Sequence, residues 1–194
     1  MSLRYALLAL LLDNGATGYD LAKRFDSSVA NFWGALPQQL YQELASMERD
    51  GLVDGEVVVQ TARPNKRVFK INNAGRRTLV DWFETPVRAR PFKDELLVRL
   101  YASDLVEPER GIALLQEGIR QHEQKLQAYL GVQRILLRGR SEEQYVRMTR
   151  RAGPYITLRS GIDWEKSWLE WARWAVAALR DRMEHARGTS AAAS

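Results

Sequence analysis

Residues 34–53, GALPQQLYQELASMERDGLV, are the stretch that most limits what this chain can fold into. Pro37 suits the first turn of a helix, where its missing N–H has no intrahelical partner, and Gly51 suits the left-handed residue that ends one. Three apolar residues recur between them at i, i+4 and i+7: Leu40, Leu44 and Met47. We therefore predict a short helix that buries this stripe and leaves a glutamine-rich face for a partner.

Two further helices are predicted before this one. Apolar residues recur with helical spacing from Leu3 to Leu11, up to the turn DNGATG. Thr17, followed by Asp20 three residues later, has the pattern of a helix N-cap with a capping box. The second helix then runs through Phe25.

A β-hairpin and a fourth helix are predicted after it. The runs Glu56 to Thr61 and Arg67 to Ile71 are β-rich and flank a Pro-Asn turn. The next helix has Asn72 or Asn73 as its cap. The order helix, helix, helix, hairpin, helix is that of a winged helix-turn-helix, whose third helix enters the major groove while the hairpin, the wing, reaches the flanking backbone.

The charge of the chain, +5 overall, is concentrated locally. Residues 63–77 contain six basic side chains and no acidic one: Arg63, Lys66, Arg67, Lys70, Arg76 and Arg77. Such a cluster is what phosphate binding requires, although a solvated basic hairpin would have the same composition. The sequence alone leaves both interpretations open.

The absence of cysteine excludes a disulfide, a thiolate metal site and a cysteine nucleophile, and we expect no metal and no cofactor. The apolar N-terminal run lacks a basic leader region and a cleavage site, and Asp13, Asn14 and Gly15 end it too early to span a bilayer. These features predict a cytoplasmic protein without a membrane segment.

The rest of the chain is predicted to be helical, so that the fold class is mainly α with one small hairpin. Residues 1–85 would form the winged helix, 86–106 a linker and connecting helix, 107–187 a helical domain for dimerisation and effector binding, and 188–194 a disordered tail. Two apolar stripes run along the helical domain: Ile112, Leu115, Ile119, His122, Leu126, Tyr129, Gln133 and Leu136 in one; Leu158, Ile162, Trp168, Ala172, Ala175, Leu179 and Met183 in the other. Their spacing fits pairing within one chain and pairing between two chains equally well.

Several motifs together resemble the PadR-like family of transcriptional regulators. YALLALLLDNGATGYDLAKRF is similar to the opening helices of that family, FWGALPQQLYQELASMERDGLV to its recognition segment, and RPNKRVFKINNAGRRTL to its wing and following helix. GPYITLRSGIDWEKSWLEWARWAVAAL resembles the helical domain of its longer, Vir-type members. The chain departs from the family at Leu36, where a Ser or Thr usually caps the recognition helix, so that a stabilising N-cap and a phosphate donor are in doubt.

The resemblance implies a homodimeric DNA-binding regulator, usually a repressor, that binds an inverted repeat. The residues expected to contact double-stranded DNA are Gln38, Gln39, Tyr41, Gln42, Tyr19, Arg63, Asn65, Lys66 and Arg67. Glutamine amides can pair with base edges and the wing cations can neutralise phosphates. Tyr41 fits a phosphate contact and a half-buried core position almost equally, Tyr19 is a weaker candidate of the same kind, and Arg63 and Asn65 also fit a role in shaping the turn.

A group of tryptophans in the helical domain raises the question of a small aromatic effector. Trp164, Trp168 and Trp171 lie close together in the sequence, with Trp174 three residues further on. Aromatic faces stack flat molecules, but packing along one face of a helix explains the same spacing and is the simpler interpretation. The resemblance implies no particular ligand for the Vir-type branch.

The sequence also permits two other classes of function. An enzyme could use His122 with Glu123, or His185 with Glu184, but neighbours in a helix point to different faces and no nucleophile or phosphate loop accompanies them. We therefore predict that the chain is not an enzyme. A winged helix that binds protein and not DNA is the second alternative, and such a wing has no need of Lys66, Arg67 and Lys70 together.

Overall fold

The computed structural model describes residues 3–29, 33–59, 65–87 and 93–192, with backbone only for 186–192. The chain divides into two compact units, Met1–Ala89 and Arg90–Ser194. The described residues form eight α-helices and three short strands, so the fold is mainly helical, as predicted.

The first unit is a winged helix-turn-helix. Its elements are α1 (Leu3–Leu10), β1 (Ala16–Thr17), α2 (Gly18–Asp26), α3 (Pro37–Arg49), β2 (Val53–Val58), β3 (Lys66–Ile71) and α4 (Asn73–Phe83). The strands form an antiparallel sheet in the order β1-β3-β2, in which β2 and β3 are the wing hairpin.

The helix ends follow the capping residues of the sequence. The Thr17 hydroxyl accepts a hydrogen bond from the backbone N–H of Asp20 (3.1 Å) at the start of α2, and the Asn72 side chain accepts one from the N–H of Gly75 (3.0 Å) at the start of α4. Beyond α3, Gly51 adopts a φ of +69°, the left-handed conformation predicted for it. These three predictions are confirmed.

The sheet differs from the predicted hairpin in two respects. Strand β2 begins at Val53, before the predicted Glu56, because Val53 is buried directly after the helix end. The two residues of β1, which pair with Val68 and Phe69 of β3, are too short to show a period in the sequence. Residues 60–64, which include the predicted Pro-Asn turn and Arg63, lie outside the described residues.

The core of the first unit lies where the three helices meet the sheet. Its buried side chains are Leu7, Leu8, Leu11, Ala16, Leu21, Phe25, Leu40, Leu44, Met47 and Val53. The predicted stripe of α3 is therefore buried, and burying each such side chain contributes about 1.5–3 kcal/mol. The rings of Tyr5 and Trp82 stack in parallel with their centres 4.5 Å apart, which joins α1 to α4.

The second unit is built around a long helical hairpin. Its elements are α5 (Glu95–Tyr101), a short 3-10 turn (Ser103–Leu105), α6 (Pro108–Leu137), α7 (Glu142–Met148) and α8 (Gly153–Ala192). Helices α6 and α8 pack along each other around Ile112, Leu115, Ala172 and Val176. The two apolar stripes therefore pack against each other within the chain.

Two parts of this unit were not predicted. The apolar stripes gave no sign of a separate helix between them, yet α7 is present and begins with a capping box in which Ser141 and Gln144 each cap the other's backbone N–H. The tail from residue 188 was predicted to be disordered, whereas the backbone of α8 is helical through Ala192. The alanines near the end of the chain, Ala191 and Ala192 among them, favour that conformation.

Candidate nucleic-acid interface

The start of α3 is closed by an unusual cap. Leu36 is the N-cap residue and offers no side-chain acceptor. Instead, the amide oxygen Oε1 of Gln39 accepts a hydrogen bond from the backbone N–H of Leu36 at 2.8 Å, which is the second half of a capping box without the first. Gln39 was predicted to read DNA, but its side chain is engaged in holding the beginning of the helix.

The outer face of α3 presents Gln38, Gln42 and Tyr41. Both glutamine side chains are exposed, opposite the buried stripe. Tyr41 is 48% exposed. Its ring lies against the start of α2, where a Cβ atom on Gly18 would be only 2.5 Å from Cε1 of the ring. Tyr41 thus packs on one side and faces solvent on the other, so its two predicted roles are compatible.

Tyr19 and Lys23 lie together on the exposed side of α2. Tyr19 is 61% exposed, and the Lys23 ammonium is 4.7 Å from the centre of its ring. The interaction with the Tyr19 hydroxyl raises the pKa of Lys23 above its ordinary value. This side of α2 therefore offers one cation and one hydroxyl to an anionic partner.

Two of the six basic residues in the predicted cluster are paired with carboxylates from other parts of the fold. Arg67 contacts Glu48 of α3 at 2.7 Å and Lys70 contacts Glu56 of β2 at 2.8 Å. The hydrogen bond with Glu56 raises the pKa of Lys70. The sequence interval contained no acid, but folding brings two to it, so the wing is less basic than the sequence suggested.

The remaining described cations of the cluster are Lys66, Arg76 and Arg77. All three side chains are exposed and none has an ion pair within the described part of the chain. Lys66 opens β3 opposite Val58, beside the turn of the wing, and exposed Asn65 precedes it. Lys66 is thus the cation best placed at the wing for a phosphate.

Arg4 of α1 neutralises the other acidic side chains of α3 and its cap. Its guanidinium contacts Glu43 at 2.6 Å and Asp50 at 2.7 Å, and donates to the Ser46 hydroxyl at 3.1 Å. The hydrogen bond with Glu43 raises the pKa of Arg4. Sequence reasoning missed Arg4, although it is the only charged residue among the first twelve.

These contacts leave no unpaired carboxylate on α3 among the described residues. Glu43 and Asp50 pair with Arg4, and Glu48 pairs with Arg67. A helix that must approach phosphates gains from this, because an unpaired carboxylate would repel them. The face left for a partner consists of amides, a phenol and nearby cations.

Two tryptophans of the second unit, Trp168 and Trp171, pack in the helical hairpin. The ring of Trp168 stacks on His122 with centres 3.6 Å apart, and Trp171 meets Trp168 edge to face at 5.7 Å. Trp164 lies 5.4 Å from the ring of His122 and is 47% exposed. Trp168 and Trp171 therefore belong to the core of α6 and α8, whereas Trp164 and Trp174, which is 66% exposed, face solvent.

A buried carboxylate that sequence reasoning missed lies beside them. Glu165 is 1% exposed; one of its oxygens contacts Nδ1 of His122, and the other lies 3.0 Å from the ammonium of Lys125. Burial alone would lower the pKa of Lys125, but the hydrogen bond and charge of Glu165 outweigh it and the pKa is raised. The signal was available, because Ile162, Glu165 and Leu169 follow the spacing i, i+3, i+7 of a buried face.

The first of the pairs considered for catalysis, His122 with Glu123, does not form in the structure, because each side chain has another partner. His122 is bound to Glu165, while Glu123 forms an ion pair with Arg173 at 2.6 Å. No group of three or more potential ligands suited to a metal ion occurs within the described ranges. No helix there is both long and apolar enough to cross a bilayer.

Two protein-family models match most of the chain. The model described as the PadR-like family of transcriptional regulators matches residues 7–81, and the model described as virulence activator alpha C-term matches residues 92–180. A probable transcriptional regulator of Mycobacterium tuberculosis is 30% identical over 192 residues, which cover 94% of this chain and 100% of the relative.

Solved structures share the fold. PadR of Bacillus subtilis in complex with operator DNA superposes with a TM-score of 0.79 at 22% identity, over 92% of this chain and 99% of that one. The same protein with p-coumaric acid gives 0.73 at 23%, over 92% and 98%. The virulence activator AphA of Vibrio cholerae gives 0.72 at 27% identity, over 93% and 99%.

The relatives are regulators of transcription and not enzymes. The winged helix, the two family matches and the relative aligned over its full length agree with the resemblance seen in the motifs. The chain belongs to the PadR-like family of transcriptional regulators and carries the C-terminal helical domain of the virulence activators.

Proposed function

We propose that this regulator is a repressor that binds an inverted DNA repeat as a homodimer, with one α3 helix in the major groove of each half-site. The observation that carries the proposal is the chemistry of α3. Gln38 and Gln42 are exposed on it while each of its carboxylates is paired. In the same proposal, residues 1–85 bind DNA and residues 107–187 form the dimer.

The glutamines are the proposed base-reading groups. A glutamine amide offers a donor and an acceptor in the geometry of the adenine edge in the major groove. Gln39 contributes by capping the helix, which leaves its amide nitrogen for DNA. Tyr41 and Tyr19 would donate their hydroxyl groups to phosphates, which fixes the register of the helix without reading sequence.

The wing supplies the proposed phosphate contacts. Lys66, exposed and without an ion pair among the described residues, is the main cation, with Asn65 as a neighbouring hydrogen-bonding group. Arg63 is proposed on sequence grounds alone, since it lies outside the described residues. Each phosphate that a cation neutralises releases counterions, so binding should weaken steeply with salt.

Dimerisation is proposed to use exposed apolar side chains of the second unit. The stripes of α6 and α8 pack against each other inside the chain, so other side chains are proposed as the dimer contact. Tyr101 is 94% exposed and Leu105 87%, so both side chains are accessible to a second chain. Sedimentation of residues 1–85 alone should show a folded fragment that associates much more weakly than the whole chain; a tight fragment dimer would move the interface to the winged helix.

Repression is proposed because one relative is a negative regulator. A small aromatic effector is proposed because of a ligand bound to that relative and an exposed tryptophan in this chain. The Bacillus subtilis relative is a negative transcriptional regulator, and one of its structures holds p-coumaric acid. Here, half-exposed Trp164 beside Lys125 is where a small aromatic effector could stack, with Trp168 and Trp171 behind it. Titration with p-coumaric acid should quench tryptophan emission in the parent and not in Trp164→Phe, with Trp174→Phe as the matched control; equal quenching in both variants would place the ligand elsewhere.

The experiment that tests the DNA-binding proposal is selection of genomic fragments by the purified protein, followed by binding at several salt concentrations. We expect enrichment of fragments with an inverted repeat and a linear fall of log affinity with log salt. The alternative, a winged helix that binds protein, gains some support from the paired state of Arg67 and Lys70. It predicts no enriched fragment and no salt-dependent binding.

A further inference from the structure

The recognition helix and the wing are joined by one ion pair. Nη2 of Arg67 on β3 lies 2.7 Å from Oε1 of Glu48 in the last turn of α3. The guanidinium carbon of Arg67 is also 5.8 Å from the centre of the Phe69 ring, which packs against the core of the unit. Arg67 is therefore held from two sides, by a carboxylate of the helix and by an aromatic ring of its own strand.

A glycine completes this contact between Glu48 and Arg67, which we call the joint. Gly55 of β2 pairs with Phe69 in the sheet. A Cβ atom on Gly55 would lie 2.1 Å from Oε1 of Glu48 and 2.7 Å from Nε of Arg67, so a side chain there would push the ends of these two side chains aside. The ion pair thus occupies space that the glycine leaves open, and residues of α3, β2 and β3 form one contact.

This contact contributes little to overall stability. The Arg67 side chain is 55% exposed and that of Glu48 26%, and ion pairs this accessible to water add only about 0–1 kcal/mol. Its geometry is nevertheless specific, because a planar guanidinium bound to a carboxylate and lying over a ring fixes direction as well as distance. The joint is suited to setting an angle between two elements.

The neighbouring residue provides the contrast. Lys66 precedes Arg67 in the strand, is exposed, and has no ion pair among the described residues, whereas the charge of Arg67 is already matched by Glu48. A phosphate bound to Arg67 would lie next to the carboxylate of Glu48, which would repel it. Two adjacent cations of the wing are thus in different electrostatic states.

We propose that Arg67 is a positioning residue and not a phosphate ligand: with Glu48 and Gly55, it sets the wing relative to α3 so that the glutamines and Lys66 reach DNA together. This inference rests on the proposed function, because it assumes that α3 and the wing contact the same duplex. A preset angle between the wing and α3 improves binding because less conformational entropy is lost when the complex forms.

Alanine substitutions in the whole chain distinguish a positioning role of Arg67 from phosphate binding. Glu48→Ala and Arg67→Ala are each expected to lower operator affinity about tenfold, and the double variant no more than either alone, since both remove one interaction. The slope of log affinity against log salt should stay at the parental value in all three. Lys66→Ala is the matched control, and it should lower the slope by about one for each half-site.

A phosphate-binding Arg67 would give a different pattern and overturn the inference. Arg67→Ala would then lower the salt slope as Lys66→Ala does, and Glu48→Ala, by releasing the guanidinium, would raise affinity for every DNA sequence. Gly55→Ala adds a probe that changes no charge. We expect it to weaken operator binding with an unchanged slope and a circular dichroism spectrum like that of the parent; parental affinity in this variant would also contradict the joint.

Amide hydrogen exchange without DNA tests the joint independently of the proposed function. Glu48→Ala and Arg67→Ala should speed exchange in β2 and β3 to the same extent, while Lys66→Ala should not. Unchanged exchange in the two joint variants overturns the positioning role. Faster exchange in a protein whose parent binds no DNA would support the joint and reject the proposed function.

Discussion

The ammonium of Lys125 lies 3.0 Å from the carboxylate of Glu165, which is the buried charged side chain in the described part of the chain. Lys125 comes from α6 and Glu165 from α8, so the pair links the two long helices across their apolar contact. His122 binds the other carboxylate oxygen and stacks on Trp168. The helical hairpin therefore holds a polar cluster with each of its charges matched.

Removing the cation of this cluster should destabilise the second unit. Lys125→Met keeps the length of the side chain and leaves Glu165 with His122 alone, and a buried acceptor that loses a partner costs about 1–3 kcal/mol. Lys125 is 39% exposed, so the lower part of that range is expected. Urea unfolding measures the change. Lys166→Met, an exposed lysine on α8, is the matched control and should change stability by less than about 0.5 kcal/mol.

The free energy of unfolding should fall at alkaline pH because groups of the same cluster lose their protons. The pKa of Lys125 is raised above its ordinary 10.5, and burial raises the pKa of Tyr129 above its ordinary 10.0. Both groups hold their protons more tightly in the folded protein than in the unfolded chain. Their contribution is therefore complete below pH about 10 and is lost as pH rises through the folded pKa values. Urea midpoints should drop above that pH, and less so in Lys125→Met; an equal drop in both proteins would assign the effect to other groups.

A charge on the exposed apolar surface of the second unit should separate the subunits. Leu105→Asp places a carboxylate on a side chain that is 87% exposed in the single chain, so folding should be little affected. If a second chain covers this residue, burying the new charge is costly and the dimer should dissociate at micromolar concentration. Sedimentation velocity decides the matter. Val59→Asp, on an exposed valine of the first unit, should remain a dimer, and a dimeric Leu105→Asp would exclude this surface.

The hydroxyl of Tyr41 can be tested apart from its ring. Tyr41→Phe keeps the contact with Gly18 and should leave the thermal midpoint unchanged. If the hydroxyl donates to a phosphate, affinity for operator and for unrelated DNA should fall together, by about 0.5–1.5 kcal/mol, because the contact carries no sequence information. Unchanged affinity for both DNAs would show that Tyr41 serves only packing.

Most of the winged helix could be predicted because its signals are local. Pro37, Gly51, Thr17 and Asn72 mark helix ends through their own backbone chemistry, and the stripe of α3 has a clear helical period. The strand β1 gave no signal because two residues are too few to show a period. The same local patterns gave the order of the helices and the hairpin, and the family motifs agreed with it.

The ion pairing of the cations at the site could not be predicted, because it depends on contacts between residues that are distant in the sequence. Arg67 is a cation without a nearby acid in the sequence, and only folding brings Glu48 to it. Arg4 reaches Glu43 and Asp50 in the same way. A count of charges in one interval overestimates how many are free, since it cannot include carboxylates supplied by another element.

Base reading by α3 and phosphate binding by the wing are tested together by comparing specific and non-specific DNA binding in Gln42→Ala and Lys66→Ala. We predict that Gln42→Ala loses about 1–3 kcal/mol on the operator, relaxes preference at particular positions and leaves unrelated DNA and the salt slope unchanged. Lys66→Ala should weaken all sequences alike and lower the salt slope by about one for each half-site. Parental operator affinity and parental salt dependence in both variants would contradict the assignment of base reading to α3 and of phosphate binding to the wing.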